Sequence, residues 1–380
     1  MSESRFVADF AVIGAGIAGA SAAYELAAYG SVVLLEAESQ PGYHTTGRSA
    51  AFFSEAYGNP IVRALTICSR EFLDSPPPAF AEHPLLIPGG GMYIGREDQR
   101  GAVEELYAEA SSNVDSIVLE DGKFATELVP ALRPGYVHSC VWEPEARAID
   151  VNELLQAFLR GARSRGAEIK RNARVTGMSR EQGFWRLLST DAEFHAAIVI
   201  NAAGAWADEI GKLAGGNPIG LVPKRRTVCL FDPPSEIDIS QWPLVVDVDE
   251  EFYFKPDAGK ILLSPADETP MAPQDVQPAD LDVAVAVDRL EKATVLNVKR
   301  IDHKWAGLRS FVADKIPVVG FGGDVEGFFW LAGQGGYGIA TSPAMARCTA
   351  ALATGTDLPE DLRKLGVNED HLSPARCRIE

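Results

Sequence analysis

Cysteine is scarce in this chain and never paired. Cys68, Cys140, Cys229, Cys348 and Cys377 stand singly, with no CxxC, so neither a zinc site nor a disulfide framework is expected. The six histidines are equally dispersed, and metal ligands come in clusters, so no metal centre is predicted. Basic charge is also in deficit: 35 lysines and arginines face 53 aspartates and glutamates, a formal net charge of -18. That balance disfavours nucleic acid or an anionic membrane surface as a partner. It identifies no partner of its own and serves solubility. Every apolar run is well short of a membrane span. The start, MSESRFVADFAVIG, lacks the basic segment, apolar core and small-residue cleavage site of a secretory leader. The expectation is a cytoplasmic protein with no integral membrane segment.

What the sequence does contain is ordinary globular composition, 46% hydrophobic and 23% charged, which argues against disorder. Its 380 residues exceed one ordinary core, so two domains are expected. Ala8 to Ile13 reads as a short apolar strand, followed by Gly14-Ala15-Gly16-Ile17-Ala18-Gly19. An Ala-rich helix is predicted to run to about Tyr29, where Gly30 ends it. Ser31 to Leu35 is a second buried strand closing on Glu36. This is a βαβ unit.

A Gly/Ser/Thr/aromatic loop from Pro41 to Gly58 follows, then a helix capped at Asn59-Pro60. Proline and glycine clusters at 76–78 and 88–91 punctuate a change of character. Short strands and an acidic helix alternate from about 92 to 142. Asp150 is predicted to cap a helix from Val151 to about Gly161. Residues 167 to 200 read as a strand meander, and strand signals dominate 217 to 312 apart from a helix at about Leu281 to Val295. The tail carries a strand at Phe328 to Ala332, and then a loop, Gly333-Gln334-Gly335-Gly336-Tyr337-Gly338, read as opening a helix. There is no internal repeat.

GxGxxG by itself is a weak signal, but its setting is right. A strand precedes it, a helix follows, and Glu36 stands at a strand end 22 residues beyond Gly14. Gly14 permits the tight turn, Gly16 lets backbone approach a pyrophosphate, and Gly19 lets helix and sheet pack closely. The helix N-terminus, at Ile17 and Ala18, offers free N–H groups to phosphate. Glu36 can accept hydrogen bonds from an adenosine ribose and repels a 2′-phosphate. The fingerprint does not separate NAD from FAD.

Five motifs, the fingerprint's own segment among them, do so by resemblance. GAGIAGASAAYEL, HTTGRSAAFF (44–53), NAAGAWAD (201–208), GLRSFVADKIPVVG (307–320) and GQGGYGI (333–339) resemble, in order, the D-amino acid oxidase superfamily. That group includes glycine and sarcosine oxidases and FAD-dependent D-amino acid dehydrogenases. PGYHTTGRSAA, GLVPKRRT, FYFKPDAG and WAGLRSFVAD are most similar to the bacterial D-arginine dehydrogenase type, over nearly the whole chain. The resemblance implies an α/β plus α+β fold: a Rossmann-like FAD-binding domain of discontinuous chain (1–88, 143–212 and 313–380) and a β-sheet-rich substrate-binding domain (89–142 and 213–312).

It also implies a cofactor set beyond the fingerprint. Thr46, Arg48, Ser49, Ala50 and Ala51 follow the acidic strand end, with Arg48 the natural phosphate partner. Val175, Gly204, Trp206 and Gly307 join them. Gly335, Gly336, Tyr337, Gly338 and Ile339 are placed at the pyrimidine edge of the isoalloxazine, where N–H groups stabilise negative charge on reduced flavin. Sarcosine oxidases attach flavin through a cysteine shortly after the segment matching GLRSF. This chain has Phe311-Val312-Ala313-Asp314 there, so non-covalent FAD is expected.

For the substrate, the resemblance places Arg226 and Arg309 on a carboxylate, with Tyr57 and Tyr253 adding hydroxyl donors and Gly336 beside the reacting centre. A guanidinium fork matches a carboxylate bidentately and stays charged. Arg226 has Lys224 and Arg225 beside it, and the sequence leaves open which of the three points inward. Tyr253 alternates with Phe252 and Phe254 on a strand and so faces the opposite way. Tyr57, followed by Gly58, suits either a mobile lid or a fixed loop anchor.

Two departures bear on specificity. D-arginine-directed members carry an acid in the loop matching Pro88 to Gly91 and a histidine after RSAA; this chain has glycine and Phe52. An apolar or small D-amino acid is therefore expected. Family oxidases carry a lysine above the flavin, and here only Lys260 precedes Ile261-Leu262-Leu263-Ser264, which favours a dehydrogenase with an unknown electron acceptor. The competing readings are a glycine- or sarcosine-type oxidase using dioxygen, an FAD-containing subunit of a larger assembly, and an NAD-linked dehydrogenase.

Overall fold

The first apolar run forms the strand Val7–Ile13, paired in parallel with Val32–Leu35 on one side and Glu193–Asn201 on the other. The structure, a computed structural model, describes residues 7–377; the first six residues of the stretch read for a leader lie outside them. Alternate side chains of the inner strands enter different cores. Phe10, Val12 and Leu34 pack with the helices on one face, and Ala11, Val33 and Leu35 pack with Trp185 and Leu187 on the other. Burial on both faces is why these strands read as continuous apolar runs.

The helix Ile17–Leu26 ends three residues before the expected Tyr29, and the chain turns through 27–29. It lies between the helices Val151–Ser164 and Ser342–Ala353. Ala20, Ala22 and Ala23 are wholly buried there, because only small side chains fit between helices on both sides. Asn59 and Asp150 cap their helices through side-chain bonds from the amides of Val62 (3.0 Å) and Glu153 (2.8 Å).

The first sheet has eight strands, ordered Val175–Glu181, Phe184–Ser189, Glu193–Asn201, Val7–Ile13, Val32–Leu35 and Glu168–Lys170, with Phe328–Ala332 also on Glu193–Asn201 and Val318–Phe321 beyond it. The second has nine, drawn from 91–143 and 222–311. Its pairs are antiparallel except Gly91–Gly95 with Leu244–Asp247. The helix Asp280–Ala293 covers one face of this sheet. A three-stranded sheet of Phe52–Phe53, Leu86–Pro88 and Arg147–Ile149 joins the segments that cross between the two.

Two readings need correction. The tail helix begins at Ser342, not in the glycine loop; residues 335–341 are consecutive turns, with Tyr337 N–H on Gln334 O and Thr341 N–H on Tyr337 O. That run offers no side-chain cap, and the helix starts only where Pro343 can occupy its first turn. Between 92 and 142 the structure has two helices, Arg100–Ser111 and Gly122–Leu128, where one acidic helix was expected. The second is short and capped by Asp121, and seven residues carry too little periodicity to be read from sequence.

Candidate active site and cofactor cleft

Between the two sheets lies a cavity of about 380 Å³, within the ordinary range for ligand sites. Its first wall is the βαβ turn. Gly14 has φ +100°, and a Cβ there would stand 2.5 Å from the Ala202 carbonyl oxygen. A Cβ on Gly19 would overlap the Gly14 carbonyl, so Gly19 packs helix against strand and does not face the cavity. Gly16, Ile17 and Ala18 do. With no side chain at Gly14 or Gly16 between backbone and cavity, such a turn fits the close approach of a pyrophosphate.

Glu36 ends the second strand and lines the cavity. One carboxylate oxygen accepts from Ala15 N–H and the other from Glu38 N–H, each at 2.8 Å. Each oxygen keeps a lone pair for a ribose hydroxyl. Val175, Gly204 and Trp206 line the same end. So does His44, which the sequence reading passed over. Its ring lies 4.7 Å from that of Trp206, its Nε2 meets Glu38 at 3.2 Å, and its buried Nδ1 has no partner. His44 opens the HTTGRSAAFF motif, but nothing in the sequence singles out its ring from the rest of that loop.

The loop after Glu36 is fastened to both sheets. Thr46 Oγ1 accepts from Ile17 N–H at 3.0 Å, and Thr45 Oγ1 donates to Leu308 O at 2.7 Å. Thr46, Arg48, Ser49 and Ala50 line the cavity, whereas Ala51 turns away and its carbonyl accepts from Ile149 N–H. The Arg48 guanidinium donates to the carbonyls of Val276 and Ala306 and to Asp275 at 2.5 Å. It thus ties the loop to the strand His303–Phe311, whose Gly307 also faces the cavity.

The opposite end holds Arg226, Tyr253 and Arg309, the residues expected to bind a carboxylate. Val222–Phe231 pairs with His303–Phe311 so that Arg226 lies opposite Gly307 and Lys224 opposite Arg309. Of the three consecutive cations, Arg226 reaches the cavity, Lys224 pairs with Glu268 at 2.7 Å, and Arg225 pairs with Asp282 at 2.6 Å. Arg226 itself donates to Asp267 O at 2.9 Å and meets Glu268 at 3.4 Å. Arg309 lines the cavity, and its one recorded hydrogen bond is to the Tyr57 hydroxyl at 3.3 Å. Among the described residues no carboxylate stands within ion-pairing distance of it.

Tyr253 faces the cavity while Phe252 and Phe254 enter the core of the second sheet. Its hydroxyl is buried and unpartnered. Tyr57 borders the site rather than lining it. Its hydroxyl accepts from Arg309 and donates to the Glu250 carboxylate at 3.3 Å. Burial, with the Glu250 charge beside it, pushes the Tyr57 phenol up to about 12, so it stays a neutral hydroxyl. Glu250 was not foreseen: it sits at a hairpin tip with φ +55°, and turn geometry carries no chemical signature.

Gly335, Gly336, Gly338 and Ile339 face the cavity between these arginines and the βαβ turn. A Cβ on Gly336 would stand 2.7 Å from Arg309 Nη1, so only glycine leaves the guanidinium free. Tyr337 points away and packs against Tyr57, ring centroids 5.0 Å apart.

A mononucleotide-grade turn, a ribose acceptor and an adjoining anion site in one cleft are what an FAD and a carboxylate substrate require. Comparison with known proteins agrees. Residues 9–352 match the family model described as DAO, FAD dependent oxidoreductase. Human dimethylglycine dehydrogenase is 27% identical over 269 residues, 64% of this chain but 30% of that longer protein. Hydrogen cyanide synthase subunit HcnC of Pseudomonas aeruginosa is 24% identical over 406 residues, covering 93% of this chain and 94% of that one. Among solved structures, L-proline dehydrogenase from P. horikoshii has a TM-score of 0.84 at 22% identity, covering 98% of both chains. The chain belongs to the DAO family of FAD-dependent oxidoreductases.

Proposed function

We propose that this protein oxidises a D-amino acid at its carbon–nitrogen bond, favours apolar side chains, and holds its FAD non-covalently. The observation that carries the reading is Arg309, a cavity-lining guanidinium with no carboxylate partner among the described residues. A guanidinium left in that state calls for an anion from outside the chain. Arg226 and the free hydroxyl of Tyr253 complete a carboxylate clamp. FAD supplies the hydride acceptor. The chain's own work is to fix the substrate carboxylate so that the α-carbon is held in one orientation, which is worth far more than affinity alone. The imino acid formed hydrolyses to a keto acid and ammonia.

Both units take part in this reading, the FAD-binding unit as 1–88, 143–212 and 313–380 and the substrate unit as 89–142 and 213–312. The D configuration rests on the motif resemblance. The side-chain preference rests on Gly91 and Phe52, which are neighbours in space: a Cβ on Gly91 would lie 3.6 Å from Phe52 Cε1. Neither residue lines the cavity itself, so the preference rests on these departures from the motif. Lys260 pairs with Asp232 and Asp302 and does not line the cavity, which supports a dehydrogenase over an oxidase.

The test is anaerobic bleaching of the flavin across a panel of D- and L-amino acids. D-leucine, D-methionine and D-phenylalanine are expected to bleach it, with kcat/KM above those for D-arginine and D-lysine. Bleaching by L-amino acids alone overturns the configuration. A lead for D-arginine or D-lysine overturns the apolar pocket and points to Glu250 as the missing counter-charge. A carrier subunit needs no carboxylate clamp, so silence across the whole panel would favour that reading instead.

A further inference from the structure

We propose that Glu143 is a positioning residue of the amino-acid site, acting through Ser54 and Glu55 to hold the strap that places Tyr57 on Arg309. The inference rests on the amino-acid reading above. Strand pairing ends at Phe53, the last residue of the small-sheet strand Phe52–Phe53. Ser54, Glu55 and Ala56 continue as buried chain outside any ladder, and buried amides need partners. Glu143, the last residue of the strand Ser139–Glu143, provides them from the second sheet. One of its oxygens accepts from Glu55 N–H at 2.6 Å and the other from the Ser54 hydroxyl at 2.5 Å. The Ala56 amide also donates to it. Ser54 Oγ in turn lies 2.7 Å from the Tyr93 hydroxyl.

Glu143 is wholly buried and has no cationic partner among its recorded contacts. A carboxylate in that state is expensive to keep, and it is kept here for amide and hydroxyl donors of one short segment. Burial pushes it up to about 7 against the pull of those donors. The Glu55 carboxylate is fixed separately, by Arg70 Nε at 2.9 Å. The strap is therefore pinned on both sides over three residues, and Tyr57 is the next residue along. Its hydroxyl, 3.3 Å from Arg309, occupies the place that this pinning dictates. A core acid with only a packing role would have no reason to converge on the residues immediately before a substrate-site tyrosine.

The experiment uses the FAD-loaded protein and compares Glu143→Leu, Glu143→Gln and Ser54→Ala, each alone and combined with Tyr57→Phe. Glu143→Leu removes every acceptor. It is expected to raise the half-saturating amino acid concentration about ten-fold, one lost hydrogen bond's worth, while the limiting rate of flavin reduction stays within about three-fold. Glu143→Gln keeps a carbonyl for the Glu55 amide and restores most of the affinity. In the Tyr57→Phe background the penalty is expected to vanish, since the hydroxyl it positions is gone. Benzoate binding, followed by the flavin difference spectrum, should show the same pattern without turnover. If Glu143→Leu yields no folded holoenzyme, Ser54→Ala carries the test. Unchanged affinity, or an equal penalty with and without the Tyr57 hydroxyl, overturns the inference. If neither amino acids nor benzoate act on the wild-type flavin, the amino-acid reading itself falls and takes the inference with it.

Discussion

Arg309 and Tyr253 illustrate two opposite ways in which a residue can be incomplete without its ligand. Arg309 has no carboxylate within ion-pairing distance among the described residues, so its loss is expected to be felt by a carboxylate substrate. Arg309→Met is expected to lower kcat/KM by roughly 30-fold to several-thousand-fold, the cost of removing one partner of a desolvated charge pair, while FAD stays bound. Steady-state kinetics on any amino acid that bleaches the flavin checks this, and near-wild-type values would mean that Arg309 is structural. Tyr253 carries a buried hydroxyl that no atom of the described residues satisfies. Such a group costs about 1–3 kcal/mol in the substrate-free fold. Tyr253→Phe should therefore hold or raise the melting temperature while weakening the substrate, a pair of opposed signs that a packing tyrosine would not give. A fall in both would remove Tyr253 from the clamp.

At the scale of elements, the βαβ turn was the most legible part of the chain, because strand, helix and glycine spacing all agree there. Each glycine has its own reason, and the reasons separate in a substitution series. A Cβ on Gly19 overlaps the Gly14 carbonyl, so Gly19→Ala should cost the fold and yield little soluble protein. A Cβ on Gly16 meets only the Thr46 hydroxyl at 3.1 Å, so Gly16→Ala should fold yet come out poor in flavin. Flavin content per folded protein measures the contrast; full flavin in Gly16→Ala would show that the pyrophosphate lies elsewhere. The end of the chain was less legible. Three glycines and a tyrosine read as a helix start, but consecutive turns satisfy the same backbone and delay the helix to Ser342. The expected clamp lay between these extremes: resemblance named Arg226 and Arg309, while only the fold shows that Arg226 faces the cavity and that Lys224 and Arg225 turn to Glu268 and Asp282. Glu143 and Glu250 were invisible, since their contacts join segments distant in sequence.

Across the whole molecule, the cleft has a wall from each large sheet, and the loop 45–48 is bonded to both. A ligand filling that cleft binds only the folded chain, so it must stabilise both sheets by mass action. None of the cysteines lines the cavity, and the segment where a sarcosine oxidase carries its attachment cysteine reads Phe311 to Asp314. FAD should therefore leave with the supernatant when the protein is precipitated with acid, and colour kept in the pellet would overturn non-covalent binding. Flavin-free protein titrated with FAD to a hundred times its dissociation constant should gain about 2.7 kcal/mol. With roughly 2.1 cal/mol/K of unfolding entropy per residue, that is a rise of about 3 °C in a chain of this length. The rise should appear in a single transition, because neither wall of the cleft can open while the cofactor holds the other. Two transitions, with only one responding to FAD, would mean that one sheet alone grips the cofactor and that the cleft does not couple them.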